Sequence, residues 1–319
     1  MRRMILARLA SGVLVLFGVT LLVYFLVNAL PGSVAAVMLG DQATEEAVSE
    51  LSAQLGLDRP VIVRYFEWMG GALTGDLGKS FTSGQPVSEA ILQRIPATAQ
   101  LTFMALVVAI FGSVLLSVVS LSKPRGVIDR TISTSMFVLL ATPNFLLGLL
   151  LVLAVAVSWS LLPSSGWTSF ADDPIDNLRR AILPTLALAA GPLAMYTRLL
   201  RGDMMEQMLR SDYVVTARAK GVSERTIRLR HVLRNSLFPL LTNIGLTVGI
   251  LVGGSVVIEN VFGIPGLGRY LVQSIGSRDA PVVLGVVVII ATTVVIVNLL
   301  IDILYGVLDP RVRHERSNS

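Results

Sequence analysis

Six long stretches of this chain carry no charged residue, and that feature decides which solvent the fold must satisfy. They run from Leu9 to Gly40, Ile95 to Ser122, Thr131 to Ala171, Ala181 to Thr197, Asn235 to Ile258 and Ala280 to Ile301. A helix needs roughly 20 apolar residues to cross about 30 Å of hydrocarbon. Five of the stretches meet that length outright. The shortest, Ala181 to Thr197, is extended by Leu199 and Leu200 past Arg198, whose long side chain reaches the interface. With 53% hydrophobic residues, 15% charged residues and a mean hydropathy of +0.73, the chain lies outside the range of ordinary soluble domains. The expected fold is all-α: a polytopic membrane protein with six transmembrane helices.

The basic residues set the expected orientation. Arg2, Arg3 and Arg8 precede the first span, and Lys123, Arg125 and Arg130 lie between the second and third. Nine Lys or Arg residues fall between Arg198 and Arg234, and Arg311, Arg313 and Arg316 follow the last span. Eighteen of the 26 basic residues thus share one side and eight the other, which puts both termini in the cytoplasm. The sequence pI of 9.9 reads as this bias and not as a nucleic-acid footprint. The apolar run from Leu9 to Leu30 exceeds the h-region of a signal peptide, so the first span is expected to remain in place.

Four segments follow: 1–30 as a short cytoplasmic lead and first span, 31–97 outside, 98–310 as the remaining spans, and 311–319 as a cytoplasmic tail. Leu30-Pro31-Gly32 breaks the first helix. The outer segment carries eight acids against four bases and reads as a small helical subdomain. Within it Thr44-Glu45-Glu46-Ala47 starts a helix that Gly56 stops, and Pro60 to Met69 and Val87 to Arg94 form two more. Pro143, Pro184, Pro192 and Pro239 lie in or beside spans, where proline kinks a helix and frees a carbonyl. Gly245, Gly249 and Gly253 repeat every four residues on one face, the spacing of a helix-packing seam.

Several patterns point to chemistry that the chain does not carry. Gly78-Lys79-Ser80 resembles the end of a phosphate loop, but Leu73 stands where that loop requires glycine. There is no cysteine, and neither His231 nor His314 has a second histidine nearby, so no metal site is expected. No Ser–His or paired-carboxylate arrangement falls within the spans, so no catalytic set is expected. Asp302 is the one acid near membrane depth, and Asn298, Asp302 and Tyr305 form an interfacial polar stripe. Ion coupling therefore has little support.

The loop from Arg198 to Arg234 is the informative one. Asp212-Tyr213-Val214-Val215-Thr216-Ala217-Arg218-Ala219-Lys220-Gly221 reads as a short helix stopped by glycine. Ser223 then caps a basic amphipathic helix through Arg234. Such a knob, with small Ala217 and Ala219, suits a groove on a partner protein. A solvated basic loop or an anionic-lipid contact remains the alternative.

That loop resembles the EAA-type coupling loop of bacterial ABC importer permeases, in the form found in the dipeptide, oligopeptide and nickel group. The chain is similar to that group's permease B type through further pieces in order. They are Leu30-Pro31-Gly32, Leu55-Gly56-Leu57-Asp58-Arg59-Pro60, Gly75-Asp76-Leu77-Gly78-Lys79-Ser80 and Arg94-Ile95-Pro96-Ala97-Thr98. Near the other end lie Glu259-Asn260-Val261-Phe262, Pro265-Gly266-Leu267-Gly268 and Arg278-Asp279, then Asn298-Leu299-Leu300-Ile301-Asp302, Tyr305 and Asp309-Pro310-Arg311. The resemblance spans residues 2 to 313. Val215 and Thr216 depart from the glutamate and first alanine of the general pattern, and Ile264 stands in place of an aromatic residue.

The resemblance implies a non-catalytic permease that pairs with a second, related permease. Two cytoplasmic ATPases, which hold the ATP and magnesium, and an extracytoplasmic solute-binding protein complete the importer. Asp212, Tyr213 and Thr216 to Gly221 would seat in an ATPase groove, and Pro143, Asn144 and Asn243 would line the path. Peptides are the expected cargo, with nickel or another small solute as the alternative. An autonomous channel or ion-coupled transporter is the reading from a different class. The expected location is the bacterial cytoplasmic membrane.

Overall fold

The computed structural model describes residues 2–29 and 32–308. The Pro31 breaker, Asp309-Pro310-Arg311, His314 and the closing arginines lie outside the described residues, as do the side chains of Asp302 and Tyr305. Among the described residues there is no β-strand, only one isolated bridge between Lys79 and Pro86. The helices begin with α1 (Arg2–Ala29), α2 (Val34–Leu39), α3 (Glu45–Gln54), α4 (Val61–Leu73) and α5 (Val87–Leu92). Next come α6 (Ile95–Ser120), α7 (Val127–Ala141), α8 (Asn144–Leu151, continued as a π-helix over Val152–Ser158) and α9 (Pro174–Arg210). Then follow α10 (Asp212–Ala219), α11 (Glu224–Thr226), a π-helical stretch (Ile227–Val232), α12 (Leu233–Phe262), α13 (Leu267–Gly276) and α14 (Ala280–Leu308).

Among the described residues, five helical runs are long and apolar enough to cross a membrane, in α1, α5–α6, α9, α12 and α14. The sixth crossing exists only if α7 and α8, which meet at 109°, count as one broken span. The uncharged stretch from Thr131 to Ala171 is therefore not a single rod. Pro143 disfavours helical geometry at the residue before it, and Thr142 is extended with φ −91° and ψ 123°. Pro184 and Pro192 behave differently, lying inside an unbroken α9, as Pro239 does inside α12.

Two compact units result. The first joins the chain up to Thr98 with Pro265–Leu300. Its segment between α1 and α6 is helical as expected: Thr44 caps α3 by accepting from Ala47 N, and Gly56 closes that helix with φ +66°. The segment is anchored, not free-standing. Tyr65 of α4 is fully buried in a cluster with Tyr24 of α1 and Leu284 of α14, and its hydroxyl meets Thr20 Oγ1 at 2.9 Å. Leu77, Val87, Ile91, Leu267, Val282 and Val286 form a second cluster. Gly285 makes this approach possible, since a Cβ there would lie 2.6 Å from Val87 Cγ1.

Asp279, immediately before α14, gathers a turn around itself. Its carboxylate accepts from Ser80 Oγ at 2.6 Å, Thr82 Oγ1 at 2.9 Å, and the amides of Phe81 and Thr82 at 3.1 and 3.2 Å. Ser80 of the Gly78-Lys79-Ser80 decoy is thus engaged by a carboxylate, a group that repels phosphate. Asp279→Asn places an amide against four donors, so one or two of them lose their acceptor. We expect a loss of about 1–3 kcal/mol in the stability of this turn, read as faster amide exchange at residues 80–82.

The second unit joins Ala99–Ile264 with the chain from Ile301. Helix α9 is its axis, packed on α6 and α12 around Ala109, Tyr196, Leu200 and Leu240. Small residues admit close neighbours here: a Cβ on Gly112 would lie 2.8 Å from Leu193 Cδ1, and one on Gly148 3.1 Å from Phe262 Cε2.

Candidate functional site

The loop singled out in the sequence is a packed helical hairpin. Ser211 is extended and ends α9, so α10 starts at Asp212 with a new direction. Val214 and Ala217 of α10 are buried against Met204 and Met208 of α9, Leu121, Ile227 and Val232. The hairpin therefore has its own apolar core, contiguous with the ends of α6 and α9.

Glycine closes α10 for a definable reason. Gly221 adopts φ +73°, Gly221 N donates to Arg218 O at 2.9 Å, and Val222 N donates to Ala217 O at 3.1 Å. This is a Schellman closure, with Val222 packing on the core that contains Ala217. Ser223 then caps α11 by accepting from Thr226 N. Arg218 clasps Glu224 through Nε at 2.6 Å and Nη2 at 3.2 Å, and this pairing holds the Glu224 carboxyl below its usual range. The basic helix expected through Arg234 is not a separate element. It passes from α11 through the π-helical stretch directly into α12, so the hairpin is continuous with a span.

Among the expected docking residues, Asp212, Tyr213, Thr216, Arg218, Ala219, Lys220 and Gly221 are exposed. Ala217 is not; it is 8% exposed and belongs to the core. Its small size serves close packing within the hairpin, a correction to its reading as a contact surface. Tyr213 OH donates to Gln207 Oε1 at 2.5 Å, which ties the outer face of α10 to α9.

Behind the hairpin lies a charge cluster that the sequence reading missed. Asp129 is 2% exposed at the start of α7. It accepts from Arg201 Nε at 2.6 Å and Nη2 at 2.8 Å, from Arg125 N at 2.8 Å and from Ser120 Oγ. One carboxylate thus ties together the end of α6, the start of α7 and the middle of α9. Arg228 Nη1 donates to Leu121 O at 2.7 Å, adding the hairpin to the same junction. The available signal was isolation, because Asp129 is the one acid between Glu89 and Asp172.

The residues expected to line a path are dispersed. Pro143 is exposed at the α7–α8 break. Asn144 is half-buried among small neighbours, its side chain 3.7 and 3.8 Å from Cβ positions built on Gly254 and Gly191. Asn243 Nδ2 donates to Pro239 O at 2.9 Å within its own helix. Of the glycine repeat, Gly245 is buried, Gly249 half-buried and Gly253 exposed, with nothing within 4 Å of a Cβ built on Gly253. Gly254 makes the close approach instead, where a Cβ would lie 3.4 Å from Leu188 Cδ1.

Comparison with known proteins matches both halves of the chain to a transport family. Residues 111–314 match the family described as binding-protein-dependent transport system inner membrane component, and residues 1–102 match its N-terminal companion. A Brucella abortus (strain 2308) chain named for a peptide transport system permease is 39% identical over 315 residues, covering 99% of this chain and all of that one. The dipeptide transport system permease protein DppB of Escherichia coli (strain K12) is 36% identical over 340 residues, with 99% and 100% covered. The oligopeptide transport system permease protein AppB of Bacillus subtilis (strain 168) is 36% identical over 313 residues, with 97% and 99% covered. Full-length similarity at this level, with matches on both halves, makes the chain a multi-pass member of the binding-protein-dependent transport system inner membrane component family.

Proposed function

We propose that this chain is a permease subunit through which an ATP-driven importer passes peptides into the cytoplasm. The observation that carries the reading is the α10 hairpin. It is a folded knob with an exposed outer face, built on its own core and continuous with the membrane helices α9 and α12. A knob of that kind transmits force only if it is rigid, and the Schellman closure and the Arg218–Glu224 clasp supply rigidity. The peptide cargo is inferred from full-length relatives that carry peptide, dipeptide and oligopeptide names. On this reading both termini and the hairpin face the cytoplasm. Two ATPases bind ATP and magnesium there, a second permease completes the pore, and a solute-binding protein delivers cargo from outside. ATP-driven closure of the ATPases moves the hairpin and shifts the spans between two packings.

Cysteine cross-linking tests the docking face directly, because the chain contains no cysteine of its own. Ala219→Cys, on the exposed face, is expected to cross-link to an ATPase subunit in native membranes. Ala217→Cys, pointing into the core, is expected to react several-fold less. Equal reaction at both sites, or none at Ala219 with other sites working, refutes the docking face. Mass spectrometry of the tagged complex, with uptake of labelled dipeptide, tests the cargo. Recovery of the chain alone in several mild detergents would instead favour a channel.

A further inference from the structure

Between α7 and α9, beside the Asp129 cluster, lies a cavity of about 250 Å³. Ile132, Ser133, Met136 and Phe137 of α7 face Arg198 and Arg201 of α9 across it. We propose that it binds the phosphate group of an anionic membrane lipid. Three observations carry the assignment.

The first is unmatched positive charge. Arg198 has no ion-pair partner among the described residues, and its guanidinium stacks on the Phe137 ring, 4.2 Å from the centroid. Stacking holds the planar fork in place and leaves its edge N–H donors for an acceptor. Arg201 gives Nε and Nη2 to Asp129, and its other terminal nitrogen has no partner among the described residues. The two arginines sit three residues apart on α9, so they lie on neighbouring turns of one face.

The second is an orphaned hydroxyl. Ser133 Oγ is buried and has no hydrogen-bond partner among the described residues. A buried unsatisfied hydroxyl costs free energy, and a phosphate oxygen would satisfy it. The other hydroxyl lining the cavity, on Thr197, already donates to Leu193 O at 2.7 Å.

The third is size and surroundings. Cavities that take drug-sized ligands hold about 300–1,000 Å³, so this one suits a head group better than a peptide. Its apolar walls continue onto exposed Phe137 and Val138 of α7, at 56% and 59% exposure, a surface that acyl chains can cover. Lys123 and Arg125 in the loop leading into α7, and Arg130 in its first turn, lie on the side that the basic bias assigns to the cytoplasm. Basic pockets between spans on that side take lipid phosphates.

The test uses the full chain, delipidated in mild detergent and titrated with phosphatidylglycerol, phosphatidylcholine or inorganic phosphate under native mass spectrometry. Phosphatidylglycerol is expected to be retained in preference to phosphatidylcholine. Arg198→Gln and Ser133→Val should each weaken that retention about five-fold, the effect of one charge or one charged hydrogen bond. Arg179→Gln removes a charge from the same helix about 28 Å away along its axis and should leave retention unchanged. Retention by Arg198→Gln equal to that of the unaltered chain overturns the site. Binding of inorganic phosphate with no preference for phosphatidylglycerol overturns the lipid source, and binding of neither overturns both.

Discussion

Gly221→Val is expected to leave ATP hydrolysis by the assembled transporter running while peptide uptake falls roughly ten-fold or more, a loss within the 1–3 kcal/mol typical of coupling between sites. Space is not the reason, because nothing lies within 4 Å of a Cβ built at Gly221. The backbone is. At φ +73° a β-branched residue is strained, by about 1–2 kcal/mol or more. The Schellman closure then opens, Val222 leaves its place against the hairpin core, and α11 starts in a different direction. Helices α9 and α12 keep their packing, so the variant should insert and assemble. Gly221→Asn provides the control, because asparagine tolerates this conformation and should restore most uptake. Paired ATPase and uptake assays on the two variants decide the matter. Normal uptake with valine would mean that the turn does not transmit the motion.

The second large effect is expected at Asp129. Asp129→Ala leaves Arg201 beside the cavity and removes the acceptor shared by Ser120 Oγ and Arg125 N. Breaking one partner of a buried ion pair costs about 3–5 kcal/mol. Arg201 is 28% exposed and keeps part of its water, so about 2–4 kcal/mol is the expected loss. Thermal unfolding of the purified chain should show it as a clear drop in midpoint. Asp129→Asn retains an acceptor for Ser120 or Arg125 and should lose less. Replacing both partners with apolar residues, Asp129→Leu with Arg201→Met, should recover part of the loss, since no uncompensated charge remains. An alanine variant that melts with the unaltered protein would show that the ion pair contributes nothing to holding α6, α7 and α9 together.

Much of this architecture was legible because its signals are local. Thr44, Ser223, Gly56 and Gly221 announce helix starts and stops through side-chain capping and positive φ, and all four do so in the structure. Pro143 was equally visible, but the 109° turn at it was not. Proline in α9 and α12 leaves those helices unbroken, so the residue alone does not set the angle. Ala217 shows the limit at the α10 hairpin. Exposed Ala219 and buried Ala217 look alike in sequence, and only the packing of α10 on Met204 and Met208 separates them.

What the sequence determined by itself was the solvent, the placement of the apolar stretches and the family resemblance. Charge-free length and ordered short motifs are one-dimensional properties, and hydrocarbon penalises unsatisfied backbone in any arrangement. What only the tertiary structure decided was which distant residues meet. Ser80 meets Asp279 across 199 positions, Arg201 meets Asp129 across 72, and Arg198 comes to lie over Phe137. The physical reason is that a buried carboxylate or an arginine fork finds partners by direction and distance in space. Those follow from how the helices pack, and no local pattern along the chain encodes them.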